Sequence, residues 1–255
     1  MSPRSASVNE ELRRRSRERL LQATLELVGE RGYDATTLGD IADRAGSARG
    51  LVSYYFPGKR HLLQSAVHRL MHRTLEETLE RAPRTQDGNE RLARAIDAIL
   101  GLARDQPVLM RTHMAGILHA EGFVQCPEQQ RLAELLRDTV TRHGTLDVDR
   151  DYPLLRAVLM GAVFAMLVPG VPMPMATMRA ELFDRYDLEW EQGFPPGESD
   201  DASPDGSPAH GRPADFSRYF EPLRPAPDTA GRPARTDQTD QTDRMDRTDR
   251  SGQSK

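Results

Sequence analysis

The sequence predicts an all-α protein of about nine helices, and three observations predict it. Apolar residues recur at i, i+3 and i+4 through most of residues 1–190, and no run alternates apolar with polar residues as a half-buried strand does. Proline and glycine stand between these apolar runs, where they end one helix or open the next. Between Ala35 and Arg60, two short helical segments flank a tight glycine-containing turn, the sequence form of a helix-turn-helix.

The elements follow in order. Leu20, Leu21, Leu25, Leu27 and Val28 mark a first helix that ends at Gly32, a suitable left-handed cap. Thr37-Leu38-Gly39-Asp40 has capping-box spacing and starts a second helix, whose short apolar face is Ile41, Ala42 and Ala45 and which ends at Gly46. The third runs from Ala48 to Tyr55 and is closed by Pro57-Gly58. Leu62, Leu63, Ala66, Val67, Leu70, Leu75 and Leu79 line a long helix from about 59 to 81, stopped by Pro83; Leu92, Ile96, Ile99 and Leu100 mark another. Pro107 and Pro127 open helices near 107–120 and 127–143, residues 151–168 form an apolar helix, and Pro174 opens a last one to about Trp190.

Composition narrows the function. The chain has 255 residues, a formal charge of −4 and one cysteine, Cys126, so neither a disulfide framework nor a C-x-x-C pair is available. The arginines at 4, 13, 14, 15 and 17 have no apolar segment behind them, so no signal peptide is expected and the location is expected to be cytoplasmic. Ala157 to Met178 lacks charge, but Pro169, Pro172 and Pro174 leave about twelve helical residues, roughly 18 Å against a hydrocarbon core of ~30 Å. A buried core helix is expected, with no membrane partner. Motifs of phosphate-binding loops, dinucleotide sites, zinc proteases and serine hydrolases are missing, so no enzyme and no cofactor are expected. His68 and His72 are four apart but lack a third ligand; they read as helix-surface residues and no metal is expected.

Charge is unevenly spread. Residues 1–60 hold eleven Lys and Arg against eight Asp and Glu, whereas residues 191–255 hold nine against thirteen, with nine of the eighteen prolines. The sequence therefore divides into a flexible basic arm (1–15), a helix-turn-helix domain (16–60), a larger helical domain (61–190) and a disordered acidic, proline-rich tail (191–255). Within that tail, Asp215 to Leu223 concentrates four large apolar residues and reads equally as a docking segment or as solvated chain.

The helix-turn-helix carries the chemistry, because its second helix is the element that enters a DNA major groove. Arg49, at the start of that helix, can reach guanine O6/N7 or a phosphate. Gly50 lowers helix stability by ~1 kcal/mol, so either close approach to DNA or close packing on the preceding helix must gain from it. Val52 and Phe56 should face the core, leaving Arg49, Ser53 and Tyr54 outside. Lys59 and the amides of its helix can meet phosphates. Tyr54 and Tyr55 suit phosphate contact or packing on the first helix.

At these residues the chain resembles the DNA-binding domain of the TetR/AcrR family of transcriptional regulators. The likeness runs from about Arg17 to Val67 and includes Gly32-Tyr33, Ala35-Thr36-Thr37, Ile41-Ala42, Ala45-Gly46, Gly50, Tyr54-Tyr55-Phe56, Lys59 and Leu62-Leu63. It implies a ligand-responsive repressor: an N-terminal three-helix DNA-binding domain, then a C-terminal ligand-binding and dimerisation domain. It implies three partners, namely double-stranded operator DNA, a second copy of the chain, and a small, largely apolar effector that releases the DNA. The resemblance puts phosphate contacts at Thr37, Tyr54, Tyr55 and Lys59 and groove contacts at Arg49, Gly50 and Ser53, with Ser47 and Ala48 at the cap. Two positions depart from the family pattern: Ala48 replaces a hydroxyl residue, so the cap shifts to Ser47 or is lost, and Ser53 replaces a tyrosine.

For the second domain, helix order places Met71, Met110, His113, Met114, Phe123, Met160 and Phe164 around an effector pocket, although methionine also serves as ordinary core filler. The resemblance makes residues 151–168 and 174–190 a four-helix dimer interface, with Leu155, Leu159, Ala162, Val163, Met166, Met178 and Leu182 as its contacts.

Overall fold

The computed structural model describes residues 3–81, 84–118 and 125–189; the acidic tail, Trp190 and Phe123 lie outside them. The described residues form nine α-helices and no strand: α1 (Pro3–Arg31), α2 (Leu38–Arg44), α3 (Arg49–Tyr55), α4 (Lys59–Glu80), α5 (Gly88–Asp105), α6 (Pro107–Ile117), α7 (Pro127–His143), α8 (Val148–Leu167) and α9 (Met175–Arg185).

Local chemistry sets most boundaries. Gly32 takes the left-handed conformation at φ +84° and its N–H donates to the Val28 carbonyl, closing α1. Thr37 and Asp40 form the full capping box of α2, with the Asp40 N–H donating to the threonine hydroxyl and the Thr37 N–H to the carboxylate. Gly46, at φ +58°, turns the chain from α2 into α3. Pro107 and Pro127 occupy the first turns of α6 and α7. Several boundaries differ from the sequence reading: α9 ends at Arg185 rather than near Trp190, and α6 at Ile117 rather than near 120. The segment read as a flexible basic arm is helical from Pro3 onward and continuous with α1, and Arg14 and Arg15 there pair with Glu11 at 2.9 and 2.6 Å. Helix α8 begins three residues before the expected start, because the Asp147 carboxylate accepts the Arg150 N–H.

The three N-terminal helices bury Leu20, Leu25, Ile41, Val52 and Phe56 against Leu62, Leu63, Ala66, Val67 and Leu70 of α4. That cluster continues without a break into Ile99 of α5, Leu109 and Met110 of α6, and Val163 of α8. The far half of α4 packs Leu75 and Leu79 against α5, α7 and Tyr152, while α5, α8 and α9 close a third cluster around Ile96, Leu155 and Leu182. Helix α4 therefore belongs to both halves of the molecule, and the expected boundary at residue 60 falls in its first turn.

Helix α5 meets the end of α7 backbone to backbone. A Cβ on Gly88 would lie 1.9 Å from the Arg142 carbonyl oxygen and 2.7 Å from the His143 Cα, neither of which is a flexible side-chain end. Gly88→Ala should therefore destabilise the fold by about 1–3 kcal/mol, the usual range for overpacking, despite the better helix propensity of alanine. A chemical-denaturation midpoint equal to or above that of the unmodified protein would refute this packing.

Candidate nucleic-acid interface and cavity

Helix α3 is amphipathic over only two turns. Val52 and Phe56 are buried, while Arg49, Gly50, Ser53 and Tyr54 lie exposed on the opposite side. Its N-cap, Ala48, makes no side-chain bond, and the Ser47 hydroxyl is buried without a hydrogen-bond partner, so the cap is lost rather than shifted. The start of α3 thus keeps amide donors that no side chain among the described residues caps.

Gly50 now separates its two explanations. A Cβ there would meet nothing within 4 Å, so packing on α2 gives no reason for glycine. A close approach from outside the protomer remains. The tight place is Gly39: the Arg49 guanidinium lies over it, 3.3 Å from where a Cβ would be, and extends to within 3.8 Å of Asp43. Arg49 is 77% exposed and rests along α2 in an open ion pair.

The other expected contacts divide. Tyr54 is 68% exposed and meets Tyr55 edge-on at 5.0 Å. Tyr55 is half-buried with its ring on the core, so packing accounts for the ring and only its outer edge faces solvent. The Thr37 hydroxyl is engaged in both directions, accepting from the Asp40 N–H and donating to its carboxylate at 2.8 Å. Lys59 is corrected from a phosphate contact to an internal strut. Its ammonium donates to the Tyr33 and Thr36 carbonyls, both at 2.9 Å, and lies 4.0 Å from the centre of the Tyr33 ring. Residue counting missed Leu51, an exposed apolar side chain beside Gly50 that suits a thymine methyl group.

A cavity of about 70 Å³ lies between α4, α5, α6, α7 and α8. Met71, Met110, His113, Met114 and Met160 line it, joined by Ile99, Ile117, Leu132, Ala133, Leu136, Leu159 and Val163. Its polar lining is His68, Gln129, Tyr152 and Arg156, none of which the sequence reading placed there. The periodicity of α8 held the signal, since Tyr152, Arg156, Leu159 and Val163 recur at helical spacing on one face. Phe164 is corrected: it is 53% exposed on the other side of α8.

His68 is also corrected, from a surface histidine to a residue 2% exposed. Its Nδ1 lies 3.3 Å from the Cys126 sulfur and its ring meets that of His113 edge-on at 4.9 Å. Burial pushes the His68 imidazole down to about 2, helped by repulsion from His113 and Arg156. It likewise pushes His113 down to about 4, helped by Arg156. Both rings are therefore neutral at pH 7, and burial pushes the Cys126 thiol up. His72 is half-buried with Nδ1 3.9 Å from Glu76. Among the described residues no cluster of three metal-ligating side chains occurs, and no helix is long and apolar enough to cross a membrane.

Comparison with known proteins bears on this arrangement. Residues 20–66 match the model of bacterial regulatory proteins of the tetR family. The HTH-type transcriptional regulator BetI of Klebsiella pneumoniae is 26% identical over 156 residues, covering 61% of this chain and 79% of that one. The HTH-type transcriptional repressor KstR of Mycobacterium tuberculosis is 41% identical over 64 residues, 25% of this chain and 29% of that one. A TetR transcriptional regulator from Rhodococcus sp. RHA1 superposes with a TM-score of 0.54 at 22% identity, covering 68% of this chain and 95% of that one. Residues 20–66, which hold the helix-turn-helix and the start of α4, thus carry the tetR-family match, and the relatives that share it are transcriptional regulators.

The residues expected to meet a second copy are largely inside the chain's own fold. Leu155, Leu159, Ala162, Val163 and Leu182 are each at most 7% exposed, Leu159 and Val163 line the cavity, and Met166 and Met178 are half-buried against the core. The exposed stripe of α8 is instead Leu154, Ala157, Gly161 and Phe164. Both stripes are apolar, so composition does not tell the inward from the outward one.

Two measurements check this geometry. Gly50→Ala should leave stability unchanged or raise it by up to ~1 kcal/mol through helix propensity, while weakening operator DNA binding. Equal binding by the variant would contradict the close approach at α3. Second, the two buried imidazoles have folded values below their unfolded one, so protons bind the unfolded chain first as the pH falls below about 6.5. Stability should then fall between pH 7 and pH 5 by up to about 1.4 kcal/mol per pH unit for each ring. His113→Leu should flatten that slope in urea titrations, and an unaltered slope would remove the argument.

Proposed function

We propose that the chain is an operator-binding repressor that acts as a homodimer and releases DNA when a small, largely apolar effector enters the cavity. The observation that carries this reading is α4. One rigid helix supplies Leu62, Leu63, Ala66 and Val67 to the core under the helix-turn-helix, and His68 and Met71 to the cavity wall one turn further on. An effector that favours a different position of α4 must change the placing of α3, and DNA affinity falls by the difference in effector affinity between the two arrangements. In this reading residues 16–60 read DNA and residues 61–190 bind effector and partner. KstR, named a repressor, supports that direction of control. The chain is proposed to work in the cytoplasm, without catalysis, cofactor or membrane contact.

A second link joins the two halves. Arg17 of α1 forms a bidentate ion pair with Glu128 in the first turn of α7, and its guanidinium lies 4.9 Å from the centre of the Phe56 ring at the end of α3. Gln129, next to Glu128, lines the cavity. Displacement of the start of α7 by an effector would thus reach the recognition helix through a buried charge pair.

For the dimer, the outer stripe of α8 around Leu154 and Phe164 is the exposed apolar face proposed to pair with its copy across a two-fold axis. Two such subunits would present α3 to successive major-groove turns roughly 34–36 Å apart. Arg49→Ala should weaken operator binding by about 10- to 100-fold, the worth of one guanine contact, and leave the sedimentation of the dimer unchanged. Phe164→Glu should give monomers and lose operator binding with it. If Arg49→Ala retains full operator affinity in a gel shift at moderate salt, α3 is not the reading element.

A further inference from the structure

We infer that the effector is an uncharged molecule whose polar end both donates and accepts hydrogen bonds, a hydroxyl or a carboxamide on a short apolar body, and that His113 and Gln64 hold that end at the seam between α4 and α6. This rests on the reading of the cavity as the effector site, and it adds the chemistry that site selects.

His113 of α6 lines the cavity, is only 4% exposed, and its Nδ1 has no hydrogen-bond partner. Gln64 of α4 is fully buried, and neither its Oε1 nor its Nε2 has one. Buried polar atoms in this state are rare, and each marks a place where a ligand or water completes the bonding. The two residues lie on one seam. The His113 ring meets that of His68 edge-on at 4.9 Å, and Gln64 stands one turn before His68 on α4. On α6, Gly116 stands one turn after His113, and a Cβ there would lie 2.9 Å from the Gln64 Nε2. Their positions are thus one helical pitch apart, roughly 5.4 Å, a span that two hydrogen bonds of about 2.9 Å through one shared group can cover. Gln64 offers an acceptor on Oε1 and donors on Nε2, so a group that only accepts or only donates leaves part of the amide unmatched.

Charge on the ligand is disfavoured for either sign. No acidic residue is among the described residues that line the cavity, so an ammonium meets no counter-ion there. Arg156, the lining side chain with a permanent charge, already has a partner within the protein, so it does not await a carboxylate. Burial keeps the His113 and His68 imidazoles neutral at pH 7. An ion taken from water to such a site without a counter-charge loses far more hydration than a hydroxyl or an amide does.

Size and flexibility define the rest of the molecule. The cavity of about 70 Å³ is smaller than the ~150 Å³ hole that admits benzene in other cores. A body of six or so carbons therefore enters only by moving its neighbours. Met71, Met110, Met114 and Met160 are the side chains best able to move, being unbranched and polarizable.

Hexan-1-ol, hexanamide, hexanoate and hexylamine distinguish the possibilities, because they share one chain length and differ in the head. Calorimetric titration of each into the full-length protein at pH 7 should show the alcohol and the amide binding at least about tenfold more tightly than either ion. His113→Phe should weaken hexan-1-ol by about fivefold, the worth of one neutral hydrogen bond. Gln64→Leu should weaken hexanamide by a similar factor, yet leave the melting temperature unchanged or higher, because an apolar group of like size replaces an unmatched buried amide. Hexanoate or hexylamine binding as tightly as hexan-1-ol, unchanged affinity in both variants, or no binding by any of the four would overturn the inference. The ranking of the four heads is read on the unmodified protein, so it decides the matter even where a variant fails to fold. The effector reading fails separately: hexan-1-ol that binds through His113 yet leaves operator affinity unchanged confirms the polar end of the cavity and refutes its role in DNA release.

Discussion

The structure depends on α4 being buried along both of its working faces. Leu62, Leu63, Ala66, Val67 and Leu70 are each at most 3% exposed and lock the helix-turn-helix in place, while Leu75 and Leu79 anchor the other end among α5 and α7. Close-packed cores resist continuous deformation, so α4 responds to a change in the cavity as a unit. Two charge pairs tie α1 to the same frame. Arg69 of α4 holds Glu18, and Arg17 holds Glu128 of α7, a carboxylate only 3% exposed whose value the arginine keeps below the usual range. Breaking such a pair from one side strands a buried charge, which keeps the long first helix registered against both halves.

That frame also explains what was legible in the sequence. The capping box at Thr37, the left-handed turns at Gly32 and Gly46 and the proline starts at 107 and 127 depend on neighbours within four residues, and each appears in the structure as read. The misreadings of Lys59 and His68 involve partners far along the chain. Lys59 looked like a free cation because its acceptors, the Tyr33 and Thr36 carbonyls, lie more than twenty residues away. His68 looked like a surface residue because nothing local shows that α6 and Cys126 cover it. On α8 the apolar residues form two stripes, and only tertiary packing shows that Leu155 and Leu159 face inward while Leu154 and Phe164 face out. The expected arm at 1–15 was inferred from its arginines, yet Glu10 and Glu11 pair with them along one helix.

The same pairing bears on the proposed contact with DNA. Arg31 lies 2.5 Å from Asp40, and Arg44 is shared between Glu26 and Glu30 at 3.1 and 3.0 Å, so much of the positive charge of the N-terminal helices is already matched. Phosphate neutralisation supplies affinity without sequence preference and weakens steeply with salt. With those arginines engaged internally, the proposed reading of DNA rests on the uncapped start of α3, where Arg49, Gly50, Leu51, Ser53 and Tyr54 face outward. The lost cap at Ala48 and the open space over Gly50 fit that division. Each is unfavourable to the isolated helix and removes an obstacle between its backbone and a base-pair edge.

The cavity and the interface are then two ends of one mechanical argument. A pre-formed pocket large enough for its ligand would bind without moving anything, and such binding shifts no equilibrium. A tight pocket walled by methionines must repack when it is filled, and its walls include His68 and Met71 on α4 and Gln129 at the start of α7. Those two elements hold the recognition helix, α4 through Val52 and Phe56 in a shared core and α7 through Glu128 and Arg17. Because both attachments leave the same wall, a molecule that displaces that wall shifts α3 with it, which is the coupling the proposed repressor needs.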